Sequence, residues 1–538
     1  MTQMLAAKLH YNKHQISVVF ATSAQMMQEI EQFSPKVIIA PFLTKFVPSA
    51  IYDTYPTYIM HPGIVGDKGP HSLEHTITSR LTEWGSIFLR ATSELDGGSI
   101  YARGFFNLRP TCKASLYRNE VLESVFFSID ELLANHNNKS FIPIEQPSTL
   151  MHKKISMQER MIDWETDTTQ TIINKIYQSD SAPGVRDDLL GVPCYLFGAW
   201  EDEKLKAKPK QIIAKREGAI CLGTIDGAVW ITHLKEEDKF KLPATYVLKD
   251  KLAGIKENRI PLIFDKSYAT FYEIGCELKN EVAYLSFNFH NGAFSSDKCI
   301  RLKCAIEYLS ENAKVIVLVG GDDFFSNGIH LSILEDSKKQ GEDGWSNINA
   351  MNNLVETLLY LTDTITVASF SKNAGAGGVF LGLACDYVVG KESAMLNPHY
   401  KTLGLSGSEY HTHSLPKRVG EQKAQNLLDD CLPICMNEAK DIGMIDEVFA
   451  VIEYEKNLAT FCANITQDES KYDDFLRDKE EYLEQNQAQM ENCKETELSI
   501  MHPEFWGENS PFHQLRHDFI YKIPSQQTPE RLKQYARI

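Results

Sequence analysis

Short β-branched apolar runs alternate with amphipathic stretches in the first part of the chain. HQISVVFA (14–21) and KVIIAPFL (36–43) are two such runs, and SAQMMQEIEQF (23–33) between them places its apolar residues at helical spacing. This rhythm predicts two buried parallel strands joined by a helix, the start of a doubly wound α/β sheet. YIMH (58–61) predicts a third strand and GSIFLRAT (85–92) a fourth, each running into a glycine-rich turn. TQMLAAKLHY at the start reads as a helix with no strand before it.

The pattern changes beyond residue 150. A helical stretch ends near a Pro-Gly pair at 183–184, and KQIIAKREGAICLGTIDGAVWITHL (210–234) alternates apolar and polar residues around Asp-Gly, a hairpin signal. From about 262 a strand–helix rhythm resumes. EVAYLSF, AKVIVLVGG and ITVASF read as buried strands, with the amphipathic helix SDKCIRLKCAIEYL (296–309) among them. Residues 452–538 begin as a highly charged helical stretch, expected to be a solvated helix hairpin whose aromatic and basic end, FHQLRHDFIYKIP, packs back on the body. The predicted units are 1–150, a small β-rich domain at 151–250, an α/β domain at 251–451 and a helical tail at 452–538.

A chain of 538 residues exceeds what one core supports, in keeping with several domains. The formal charge, 55 − 72 = −17, argues against a nucleic-acid partner. The one basic run, KLKAKPKQIIAKR (204–216), is expected to be a solvated edge. No apolar run reaches 18 residues, so no membrane span is expected. Eleven scattered cysteines, without a C-x-x-C pair, point to reduced thiols and a cytoplasmic protein with no metal centre.

Chemistry concentrates in a few loops. His61 and Asp96 fall at the ends of the third and fourth predicted strands, where α/β sheets bind ligands. Such a pair suits proton transfer during acyl exchange. HPGIVGDKGP (61–70) followed by SELDGGSIYA (93–102) resembles the folate-dependent formyltransferases. The resemblance implies that His61 and Asp96 promote formyl transfer from 10-formyltetrahydrofolate. It also implies that IIAPFLTKFVP (38–48), with Pro41, Phe42 and Leu43, lines the pterin pocket. The family's Asn two residues before the His is Ile59 here, which puts the usual amine acceptor in doubt. The family also opens with a central strand, so the first strand is expected to be missing. The 155–235 segment resembles the small domain following the catalytic domain in methionyl-tRNA formyltransferase, although the acidity disfavours tRNA.

FFSNGIHL (324–331) and NAGAGGVFLGLACD (373–386) are glycine-bearing loops after predicted strands, the parts needed for an oxyanion hole. This half resembles the crotonase (enoyl-CoA hydratase) superfamily. The resemblance implies oxyanion amides at Ile329 and Gly377, with Gly328, Gly375 and Gly378 in the coenzyme A loops. Its two hydratase glutamates fall on Phe380 and Tyr400, so hydration is not expected. Tyr400, Glu409 and Tyr410 in NPHYKTLGLSGSEYH (397–411) are the candidates for proton transfer, Glu409 alternatively pairing with Lys401 or Lys417. Arg118, Lys417 and Arg418 are candidates for the coenzyme A phosphates.

A formyltransferase half joined to a crotonase half resembles the HypX/HoxX family of NiFe-hydrogenase maturation proteins. That resemblance implies formyl transfer from 10-formyltetrahydrofolate to coenzyme A, then decarbonylation of formyl-CoA to carbon monoxide, with hydrogenase maturation proteins as partners. Formyl transfer to another acceptor and a non-catalytic coenzyme A scaffold are the alternatives.

Overall fold

The computed structural model describes residues 1–43, 45–264, 266–533 and 535. Its first unit opens with the helix Thr2–Tyr11, as the sequence predicts; Met4, Leu5 and Leu9 sink into a core shared with Val121, Val125 and Ile129 of the helix Glu120–Asn137. Four strands follow in the order Ile38–Ala40, Thr57–His61, Glu83–Arg90 and Ile100–Asn107. The first pair is parallel and the other two are antiparallel. The α/β class holds, but the sheet is mixed.

Residues 14–21 do not form the expected parallel strand. They are half-exposed and extended, and their backbone is engaged by the far end of the chain. Val18 N donates to Leu532 O at 2.8 Å, Phe20 N to Thr528 Oγ1 at 3.0 Å, and Ile16 bridges Tyr535. Backbone donors need partners wherever they are sheltered, and here the tail supplies them. Ile38–Ala40 is therefore the sheet edge, facing a cavity of about 810 Å³ bordered by residues 14–22 and 37–43.

The second unit is an antiparallel sheet built from Val185–Leu189, Val192–Asp202, Ala228–Glu236, Ala219–Gly223 and Ile212–Arg216 in spatial order, against which the helix Thr169–Ser179 packs. The predicted hairpin around Asp226-Gly227 joins two of these strands, with Gly223 opposite Ala228.

The third unit carries six strands, Ile274–Lys279, Val282–Phe287, Val315–Gly320, Ile365–Phe370, Tyr387–Lys391 and Glu447–Phe449, all parallel except the first pair. The charged tail is not a solvated hairpin. Its helix Glu469–Trp506 buries a stripe comprising Tyr472, Leu483, Met490, Glu497, Met501 and Phe505 against this unit. Polar residues outnumber apolar ones, yet the buried positions recur along one helical face. Among the described residues no helix is long and apolar enough to cross a membrane.

Candidate active sites

The first site sits where Thr57–His61 ends. His61 is buried, and its Nδ1 lies 3.6 Å from Asp96 Oδ1. The pair predicted from the sequence is thus brought together, at ion-pair distance although beyond a hydrogen bond. Asp96 has a left-handed backbone (φ +52°) and is held by the Gly69 amide, 3.2 Å from its Oδ2. Gly98 follows because a Cβ there would come within 1.7 Å of Arg90 O.

Sequence reasoning missed two further residues. His61 Nε2 contacts Asp67 Oδ2 at 2.6 Å, and Asp67 Oδ1 contacts His152 Nε2 at 2.5 Å. Asp67 is completely buried. It lies within the quoted HPGIVGDKGP motif, which was the signal available. No local signal marks His152, which arrives from 85 residues downstream.

Pro41 and Leu43 border the large cavity beside the sheet edge, together with Phe42, whose ring meets Tyr117 edge-on. Neither His61 nor Asp96 borders that cavity, and Thr44 of the same segment lies outside the described residues.

The second site lies between the two glycine loops of the third unit. Gly377 begins the helix Gly377–Leu383, where amides lack intrahelical partners. A Cβ on Gly328 would sit 3.4 Å from Gly377 N, so the loops face each other closely. Asn327, Gly328, Ile329, Ala376, Gly377, Tyr400 and Glu409 are among the residues lining a cavity of about 30 Å³. Gly375 and Gly378 flank the second loop, where a Cβ on Gly378 would collide with Ser326 O at 2.2 Å.

Tyr400 and Glu409 form a buried pair. The Tyr400 hydroxyl donates to Glu409 Oε2 at 2.7 Å and also lies 3.0 Å from Ser408 O. Burial raises the titration of both groups, and the Glu409 carboxylate pushes Tyr400 up further. Neither lysine weighed as a partner reaches Glu409: Lys401 pairs with Asp429, and Lys417 lies over the Tyr482 ring. Phe380 stacks on Tyr400 with ring centres 5.4 Å apart.

Tyr410 departs from expectation. Its hydroxyl donates to Glu356 at 2.8 Å, and it does not border the cavity. Glu409 and Tyr410 both have left-handed backbones (φ +64° and +56°), which sends consecutive side chains apart. Such strain in non-glycine residues persists only when neighbours enforce it. Glu497, from the tail helix, accepts from Tyr410 N at 3.0 Å and from Thr412 N at 2.8 Å.

The expected phosphate ligands are engaged elsewhere. Arg418 pairs with Asp446 and donates to Cys385 O, serving the packing of this unit. Lys417 covers Tyr482 on the tail. Arg118 joins units, pairing with Asp323 at 2.7 Å and donating to Asn291 Oδ1 at 3.1 Å. Of the three, it alone links the first unit to the third.

Residues 277–503 match the enoyl-CoA hydratase/isomerase family, and residues 154–251 match the formyl transferase C-terminal domain. The chain is 32% identical to hydrogenase maturation factor HoxX of Bradyrhizobium diazoefficiens, covering 98% of this chain and 94% of that protein. It is also similar to crystal structures of HypX from Aquifex aeolicus. One variant superposes with a TM-score of 0.95 at 38% identity, covering 100% of this chain and 97% of that one. A structure of the same protein in complex with tetrahydrofolic acid gives the same values.

Proposed function

Because the chain belongs to the HypX/HoxX family of hydrogenase maturation factors, we propose that it makes carbon monoxide for hydrogenase assembly in two steps. In the first, the formyl group passes from N10 of 10-formyltetrahydrofolate to the thiol of coenzyme A. His61 takes the thiol proton as the carbon–sulfur bond forms and returns it to N10 as the carbon–nitrogen bond breaks. Asp96 stabilises the imidazolium between those events. Pro41, Phe42 and Leu43 would border the pterin.

In the second step, formyl-CoA is split into carbon monoxide and coenzyme A. The amides of Ile329 and Gly377 hold the carbonyl oxygen. The Tyr400–Glu409 pair accepts the formyl proton, the carbon–sulfur bond breaks, and the proton passes to the thiolate. Carbon keeps its oxidation level, so no electron donor or acceptor is needed. Formyl-CoA has no α-carbon, which excludes the enolate chemistry of ordinary crotonases.

The size of the second cavity carries this reading. A pocket of about 30 Å³ at the two glycine loops has room for a one-carbon group. The apolar Phe380 at one hydratase position is consistent with it. Hydrogenase maturation proteins would then be the recipients of the carbon monoxide.

The test is to incubate the full-length protein with 10-formyltetrahydrofolate and coenzyme A, using a haem protein to detect carbon monoxide. Release that depends on both substrates is expected. Tetrahydrofolate release without coenzyme A would indicate another acceptor, and coenzyme A binding without turnover would indicate a scaffold.

A further inference from the structure

We propose that Asp67 and His152 are positioning residues for His61, fixing its proton on Nε2 and leaving Nδ1 as the nitrogen that works. This inference rests on the formyl-transfer reading for its consequence, although its geometric basis stands apart from it.

An ionised carboxylate only accepts hydrogen bonds. Both Asp67 oxygens face imidazole nitrogens at 2.5 and 2.6 Å, so each Nε2 must be the donor. A neutral His61 is then protonated on Nε2, with its Nδ1 lone pair on the side of Asp96. When Nδ1 gains a proton, the resulting imidazolium stands between two carboxylates. Asp67 thus does for His61 what a buried acid does for a catalytic histidine elsewhere, holding both tautomer and ring orientation.

The surroundings leave little freedom. A Cβ on Gly63 would lie 2.2 Å from Asp67 Oδ2 and 2.3 Å from His61 Nε2, so glycine is needed where the chain passes this contact. Gln146 clamps the loop from the other side, donating to Asp67 O at 2.9 Å and accepting from Gly66 N at 2.8 Å. His152 is delivered by a short parallel pairing of Asp67–Lys68 with Leu150–Met151, and its own amide donates to Lys68 O at 3.0 Å. His75 stacks on the His152 ring at 4.4 Å, while the neighbouring Lys68 is paired with Glu94. The segment leaving the first unit for the second therefore closes over the back of the first site.

The experiment compares full-length parent, Asp67→Asn, His152→Gln and His152→Ala. In protein labelled with ¹⁵N-histidine, NMR of neutral His61 should show the proton on Nε2 in the parent. In Asp67→Asn, whose amide faces one imidazole with a donor, the proton should redistribute toward Nδ1. This readout does not require turnover, so it stays informative even if the parent fails to transfer formyl groups, an outcome that would sink only the functional reading. With 10-formyltetrahydrofolate and coenzyme A, Asp67→Asn should lower kcat roughly 10²-fold or more while leaving the KM for folate nearly unchanged. His152→Gln places an amide donor where Nε2 stood and should retain most activity, whereas His152→Ala should not. An Nδ1 proton in the parent, or equal kcat in His152→Gln and His152→Ala, would overturn the proposal. If Asp67→Asn does not fold, the parent spectrum and the two His152 variants decide the matter.

Discussion

A single hydroxyl separates Tyr400 from the phenylalanine that stacks on it, and that hydroxyl is the one link between the ring and Glu409. Tyr400→Phe keeps the packing and removes the link. Carbon monoxide release should fall by roughly 10²-fold, while tetrahydrofolate release at the first site stays at the parental rate. Unchanged carbon monoxide output would leave Glu409 alone as the proton carrier. Gly377→Ala probes the same pocket from its other wall. Its Cβ would stand 2.7 Å from the Glu409 carboxyl, so the carboxyl must move or the loop must shift. Carbon monoxide release should drop there too, read by the same haem assay. At the first site, His61→Ala should abolish folate deformylation and leave coenzyme A binding intact, measured by calorimetry.

One element, the long tail helix, determines the shape of the second site from outside the six-stranded sheet. It contributes Met501 to the cavity wall and Glu497 to the turn that carries Glu409 and Tyr410. Glu497 also lies 3.2 Å from His411 Nδ1, and this contact raises the titration of His411 against the effect of burial. Glu497→Gln keeps the volume but turns an amide donor toward groups that already donate. Loss of a buried charged acceptor costs about 3 kcal/mol. A lower thermal midpoint and slower carbon monoxide release are expected, since relaxing the left-handed pair moves Glu409. A variant with parental release would show that the turn holds its shape unaided.

The units meet over a group of histidines. His233, from the antiparallel sheet, meets His290 of the third unit with the rings tilted by 31° and their centres 4.0 Å apart, and His330 lies within electrostatic reach. Burial lowers the titration of all three, His330 to about 3. Unfolded histidines take up protons near pH 6.5. Because the folded values are depressed, their contribution to stability is intact above pH 6.5 and is lost as pH falls toward the folded values. Each added proton changes stability by about 1.4 kcal/mol per pH unit in that window. Thermal melts between pH 7 and 4.5 should show a falling midpoint. His233→Phe should flatten that dependence by the share of one proton, and an unchanged slope would rule out His233 as a source of acid sensitivity.

The sequence by itself determined the class of each unit and the two glycine loops, because strand period, helix period and glycine spacing are local properties. It also singled out His61, Asp96, Tyr400 and Glu409 as candidates, since each lies within a few residues of a recognisable turn. What it misjudged depended on distant partners. The run at 14–21 has the composition of a sheet strand, but its backbone is engaged by residues 528–535. The charged tail reads as solvated, but its sparse apolar residues fall on one buried face. Tyr410 sits beside Glu409 in sequence, yet two left-handed residues turn it toward Glu356. His152 and Glu497 have no local signature at all. Tertiary structure alone decided their roles, because a hydrogen bond depends on where two chain segments meet and not on the residues that flank either partner.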